Sequence, residues 1–340
     1  MKTASESEII ARLATIAGLG SLCLLDDAAC ITPPQGYDLV VSADAFNEGI
    51  HFFSEDTPQT IARRAFRATL SDLAAKGADP LGFTLTLGLP GSCTMLWIDA
   101  FIETLHEDIE LYGCPLLGGD TTRTHHGLTL SFVVLGSVPQ GRMVLRSGAR
   151  PGDHIVLTGS VGDAALGLAL RRFQCGEGPH PEWSKTLDPK SQDILLQRFL
   201  CPHPRLECVP FLKDYMHASQ DVSDGLLGDL KHLLSASGVD GVIHLEDLPF
   251  SPPAYQVLKG DPRMLRTLLT GGDDYEILGT LAPDRWEGFK EECRAVDLYV
   301  TSIGRVTERG RGWLHIENGN ESPFLWNPSW NERPLSYAHD

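Results

Sequence analysis

The chain has 340 residues, of which 42% are hydrophobic and 21% charged, and a formal net charge of −17. That length is more than one hydrophobic core fills, so two domains are expected, and the composition excludes a disordered chain. The acidity excludes a nucleic-acid partner, because such a surface repels phosphate backbones; binding of an anionic nucleotide would need divalent cations or a local basic spot.

Met1–Ile10 is polar, with Glu6 and Glu8 and Lys2 as its one basic residue, so it does not read as a signal peptide. No run approaches the roughly 18 apolar residues of a membrane span, and the expected setting is soluble and cytoplasmic. The eight cysteines form no Cys-x-x-Cys pair and read as inert thiols of a reducing compartment. Ile9, Ile10, Leu13 and Ile16 predict a helix over Ser5–Ile16. Tyr37–Ser42 reads as a strand. Thr57-Pro58 opens a helix through Ile61, Ala65, Leu70 and Leu73 that stops near Gly77. Phe83–Leu89 and Leu128–Leu135 read as strands, with a helix over Trp97–Tyr112 between them. Turn formers in Arg146–Asp153 mark the domain boundary, giving domains 1–147 and 148–340. His154–Thr158 is then a strand, Gly162–Phe173 a helix, Gln174–Asp188 a loop, Leu226–Ser235 a helix, Asp240–Leu245 a strand and Arg263–Leu269 a helix. The tail from Glu317 has little periodicity. The alternation makes the class α/β or α+β.

Six aspartate motifs stand beside glycines, turns or element ends: Asp26-Asp27, Ser42-Ala43-Asp44, Ser71-Asp72, Gly118–Thr122, Asp221–Gly225 and Gly271–Glu276. Any one of them reads as a cap or turn. Asp221, Ser223 or Asp224 could cap the helix that follows, and Asp72 could simply face solvent. Six together point to hard cations, since carboxylate clusters repel one another unless metal fills them, and glycines let backbone N–H groups approach phosphates. Other nucleotide signatures are absent. There is no Walker loop, no Gly-x-Gly-x-x-Gly after a strand, and no protein-kinase set. His125-His126 reads as a solvated turn.

At these motifs the sequence resembles the thiamine-monophosphate kinase family, part of the superfamily of aminoimidazole ribonucleotide synthetase and selenophosphate synthetase. The resemblance runs through Asp26-Asp27-Ala28-Ala29, Ser42-Ala43-Asp44, Glu48–Phe52, Leu70–Ala78, Leu117–Arg123, Asp221–Leu226 and Gly271–Glu276, in order. Departures are Leu25 for the usual glycine, Ala43 for threonine and Asp273 for glutamate.

The resemblance implies a two-domain α/β fold whose N-terminal sheets pair into a barrel-like core across a homodimer. It implies transfer of the γ-phosphate of ATP to thiamine monophosphate on several Mg²⁺ ions. Asp27, Ser42, Ala43, Asp44, Asp72, Asp120, Asp221 and Asp224 would hold metal, with Asp44, Asp72, Asp120 and Asp221 central to catalysis. Gly119, Asp120, Arg146 and Ser223 would meet ATP; His51, Asp273 and Trp330 would meet thiamine monophosphate. The rival readings are a sister synthetase, a metal-dependent phosphatase, or a non-catalytic binding relative. Selenophosphate synthetases carry a reactive Cys or selenocysteine in a glycine-rich loop, and neither Cys23 nor Cys30 sits in one.

Overall fold

A computed structural model describes residues 5–310 and 313–317. These fall into two compact units: the chain to Leu73 with Ala78–Met143, and Ala74–Gly77 with the chain from Val144 on.

The first unit begins with α1 (Glu6–Leu13), started by a reciprocal Ser5/Glu8 cap. Then come β1 (Tyr37–Asn47), α2 (Pro58–Lys76), β2 (Asp79–Pro90), α3 (Met95–Tyr112), β3 (Leu116–Thr124) and β4 (Thr129–Pro139). The sheet order is β1-β4-β2-β3, open rather than closed, with β2 and β3 parallel through α3 and the other pairs antiparallel. One face packs on α2 and α3. Phe66 of α2 meets Phe83 and Phe132 at ring separations of 4.6 and 5.6 Å, and all three are fully buried. Arg67 of α2 grips Asp108 of α3 with two bonds, of 2.8 and 2.7 Å.

The second unit holds β5 (His154–Thr158), α4 (Asp163–Gln174), α5 (Pro189–Leu200), α6 (Val209–Tyr215), β6 (Met216–Asp221), α7 (Leu226–Ser237), β7 (Asp240–His244), α8 (Pro252–Gly260), α9 (Leu265–Thr270), β8 (Ile277–Leu281), α10 (Trp286–Ala295), β9 (Val300–Thr307) and β10 (Leu314–Glu317). Its sheet order is β10-β7-β9-β5-β8-β6, antiparallel except for β10 beside β7. Alternate side chains feed two cores. Ile155, Leu157 and Leu278 join α4, α5, α7, α8 and α9, whereas Val156, Ile277 and Leu281 join α6 and α10. The last turn of α2 belongs here, with Ala74 and Ala75 in the second core and Lys76 Nζ bonding the Ser219 carbonyl at 2.6 Å.

The mixed α/β class expected from the sequence is observed, and the strands and helices read from apolar periodicity are present with shifted ends. Gly118–Thr122, expected to be a loop, is part of strand β3. Glycines and aspartate disfavour strands in general. Here a Cβ on Gly119 would lie 1.8 Å from the Leu85 carbonyl oxygen, so the strand pairs at all only because glycine stands there. Leu25 adopts an ordinary right-handed backbone, and the left-handed residues are Leu22, Cys23 and Leu24, with φ of 52, 59 and 55°. The missing glycine at 25 therefore costs nothing at that position.

Phe66→Ala should destabilise the chain by about 3–5 kcal/mol, because it empties the centre of a three-ring cluster, and urea unfolding followed by circular dichroism reads the loss directly.

Candidate active site

In the first unit, Ser42 and Asp44 lie on β1 with the buried Val40 and Phe46, facing the helix layer. Asp72 projects from α2 into the same corner and accepts the Ser42 hydroxyl in a short hydrogen bond. Asp72 is therefore a partner of the site and not a solvent-facing helix residue. Burial, followed by repulsion from Asp72, pushes the Asp44 carboxyl up to about 6, with the Thr69 hydroxyl opposing in part. This corner carries more negative charge than its surroundings favour.

Asp120 lies elsewhere. It pairs in register with Thr86, whose neighbours Leu85 and Leu87 point into the core, so Asp120 occupies the opposite face of the sheet. Asp44 aligns through Phe132 and Leu85 with Gly119, three strand spacings or about 14 Å away. Asp120 is exposed, and its Oδ1 accepts the Thr121 N–H at 2.9 Å. With Asp26, Asp27, Gly118 and Gly119 it lines a cavity of about 450 Å³ beside α1. Asp27 is also exposed, and its N–H bonds Asp26 at 2.8 Å. The aspartates of one first unit thus form two groups. Among the described residues no three His, Cys, Asp or Glu side chains converge as a metal cluster.

His51 follows β1. Its Nδ1 accepts the Asn47 N–H at 3.0 Å, which leaves the proton of the neutral ring on Nε2, and its carbonyl accepts Arg64 Nε at 2.7 Å. Glu48 binds the Leu128 N–H at 2.8 Å and ties β1 to the start of β4.

In the second unit two motifs interlock. The Val222 N–H bonds the Glu276 carbonyl, the Tyr275 N–H the Val222 carbonyl, and the Asp273 N–H the Ser223 carbonyl, at 2.8, 2.8 and 2.9 Å. Gly272 is required there, since a Cβ would lie 2.0 Å from the Ser223 oxygen. Asp221–Gly225 and Gly271–Glu276 therefore make one interlocked segment that brings together the buried Asp221 and Asp273, the half-buried Ser223 and the exposed Asp224. None of Asp221, Ser223 or Asp224 caps α7. The N-cap is Gly225, at φ 99°. The clamp comes from inside the helix, where Asp229 accepts the Asp224 N–H at 3.0 Å. Burial, then repulsion from Asp221, raises Asp229 to about 8. The sequence reading passed over Asp229, although an acid in a helix's first turn is a recognised signal. Arg146 is exposed beside β6, where the Ser219 N–H bonds the neighbouring Leu145 carbonyl at 2.9 Å. His125 and His126 are exposed in a bend, as expected, and Trp330 lies outside the described residues.

The two sheets and their order define an AIR synthase related protein. The family model for the N-terminal domain matches residues 25–138 and that for the C-terminal domain 150–317. The thiamine-monophosphate kinase of Caulobacter vibrioides is 37% identical over 87% of this chain and 85% of its own length. That of Escherichia coli K12 is 35% identical over 88% and 89%. The crystal structure of thiamine-monophosphate kinase from Stenotrophomonas maltophilia superposes with a TM-score of 0.78 at 35% identity, covering 93% of this chain and 98% of that one. The structure of AaThiL complexed with AMPPCP and TMP gives 0.71 at 29% identity, over 86% and 87%. The chain belongs to the thiamine-monophosphate kinase family, and it is a phosphotransferase. No helix of the described residues is long and apolar enough to cross a membrane.

The lifted Asp44 carboxyl has a stability consequence. Its folded value, about 6, lies above the ordinary 3.8, so its contribution is intact below pH 4 and is lost as pH rises through 6. In metal-free protein at pH 8, Asp44→Asn should exceed the wild type by up to about 3 kcal/mol, with the gap closing near pH 4. Thermal unfolding across that range checks it. A wild type that is the more stable at pH 8 without divalent cations would refute the lifted carboxyl.

Proposed function

We propose that the chain transfers the γ-phosphoryl group of ATP to thiamine monophosphate by direct in-line displacement, giving thiamine diphosphate and ADP, the last step of thiamine diphosphate formation. The observation that carries this reading is the Asp44–Asp72 corner of β1 and α2. It is a carboxylate pair of the kind a hard cation neutralises, set in a chain of this family.

Mg²⁺ fits that donor set, because it binds through one or two carboxylates and completes its shell with water and substrate phosphates. On this reading several ions are bound: Asp44, Asp72 and Ser42 with the Ala43 backbone would hold one group, Asp27 and Asp120 another, and Asp221 and Asp224 a further one. Bound there, the metal neutralises the charge of the phosphates being joined. The protein supplies position. Gly119, Asp120, Arg146 and Ser223 meet ATP, and the always-charged guanidinium of Arg146 suits a phosphate fork. His51, through Nε2–H, and Asp273 meet thiamine monophosphate, with Trp330 as a stacking candidate. The acceptor is itself a phosphate with a second pKa of about 6, mostly ionised at neutral pH, so no strong base is needed. Catalytic effort goes into bringing two anions together.

We take residues 1–147 as the nucleotide-binding and dimerisation domain, 148–340 as the C-terminal domain, and the setting as cytoplasmic. A homodimer is supported by the sheet face opposite the helices. Leu39 and Val41 of β1 are 44 and 58% exposed there, and Val41 is paired in register with Leu135 and Ala43 with Val133. Asp120 shares that face and Asp44 does not, which suggests that Asp120 of one chain works with Asp44 of its partner.

Two experiments test these statements. Incubation with thiamine monophosphate, ATP and Mg²⁺ should give thiamine diphosphate and ADP in equal amounts and nothing when any one is omitted; phosphate release without ATP would mark a phosphatase instead. Asp44→Asn and Asp120→Asn should each abolish turnover in folded protein. Co-expressed, the two inactive chains should regain about one quarter of wild-type activity, since a randomly mixed two-fold dimer then rebuilds one intact site in its mixed half. No recovery would put both carboxylates in a single chain's site.

A further inference from the structure

Gly271–Glu276 carries three acids with different surroundings. Asp274 is buried and accepts the Gly162 N–H at 2.7 Å and the Ala164 N–H at 3.3 Å, so it caps the start of α4. Glu276 has no exposed surface. It takes Arg198 Nη2 at 2.6 Å, Arg205 Nε and Nη2 at 2.6 Å each, and the Thr158 hydroxyl at 2.8 Å. Burial alone would raise its carboxyl, but the two guanidiniums outweigh that and hold it below the usual carboxylate range. The segment is thus clamped on both sides of Tyr275.

The backbone is left-handed at two non-glycine residues here, Asp273 just before the first clamp at φ 70° and Tyr275 between the two at φ 52°. Such a backbone is unfavourable for an L-residue and persists where the surroundings impose it. It turns the Tyr275 side chain back over the loop, and its hydroxyl donates to Asp273 Oδ1 at 3.1 Å. Asp273 and Tyr275 are 6 and 9% exposed. The short aspartate tolerates a left-handed backbone better than the glutamate usual at this place, since its polar group sits close enough to bond locally.

We propose that Tyr275 is the positioning residue for the acceptor, holding the Asp273 carboxylate in the plane that receives the amino-pyrimidine or cationic ring of the substrate. This rests on the reading of Asp273 as an acceptor contact. Tyr275 acts here through its hydroxyl on Asp273, so its effect is expected on the acceptor and not on ATP. Losing one orienting hydrogen bond is worth about a factor of ten in binding.

Steady-state kinetics of the full chain test it, with Tyr275→Phe, Asp273→Asn and the double variant. Tyr275→Phe should raise KM for thiamine monophosphate about 10-fold, with KM for ATP, kcat and Tm unchanged. Added to Asp273→Asn it should change nothing further, because it acts through that carboxylate. An unchanged acceptor KM, an equal rise in both KM values, or effects that multiply in the double variant would each overturn the proposal. A wild type that makes no thiamine diphosphate would remove the kinase reading and this inference with it. A competent wild type with an indifferent Tyr275→Phe would remove the inference alone.

Discussion

Burial of the Asp44 carboxyl beside a second acid, Asp72, is the constraint around which the first unit is arranged. Burial and the neighbouring Asp72 raise the cost of an ionised Asp44, while Asp72 itself accepts the Ser42 hydroxyl. A protein selected for stability alone would place an amide or an alkyl group there. Keeping the acids makes sense where a cation arrives with the nucleotide, so that part of the cost of assembling the site is recovered on binding. The rigid parts around it, the Phe66–Phe83–Phe132 cluster and the Arg67–Asp108 pair, hold that corner in place despite the charge.

The second unit solves a different problem. It brings Asp221, Ser223, Asp224 and Asp273 together although about fifty residues separate the two motifs. Three backbone hydrogen bonds and a glycine too close to its neighbour for any Cβ stitch the segments together. Asp229 and Asp274 then occupy the backbone N–H groups at the starts of α7 and α4. Carboxylates in this region therefore divide between those that bond buried backbone donors, Asp229 and Asp274, and those proposed for the site.

The sequence disclosed most where one physical signal dominated. Thr57-Pro58 started α2, and apolar runs rich in β-formers marked β2, β4 and β5. It disclosed least where two signals conflicted. Gly118, Gly119 and Asp120 carry the composition of a loop, but lateral pairing to β2 draws them into a strand, and nothing local reports that Leu85 leaves room only for glycine. Helices α5, α6, α8 and α10 were passed over, since each is short and bounded by Pro or polar residues, and their stability comes from cores that only the tertiary fold assembles. The aspartate motifs were visible as motifs. Their division between two faces of one sheet was not, because strand register is a long-range property.

The adjacency of Asp273 and Asp274 complicates any genetic reading of this region. One side chain turns toward Tyr275 and the other into the base of α4, where its loss would leave buried backbone donors unsatisfied. A growth-based screen would record both positions as intolerant and suggest a shared chemical duty. Cellular abundance would separate them, with Asp274 variants cleared by quality control and Asp273 variants, on the acceptor reading proposed above, accumulating as intact protein with weakened turnover.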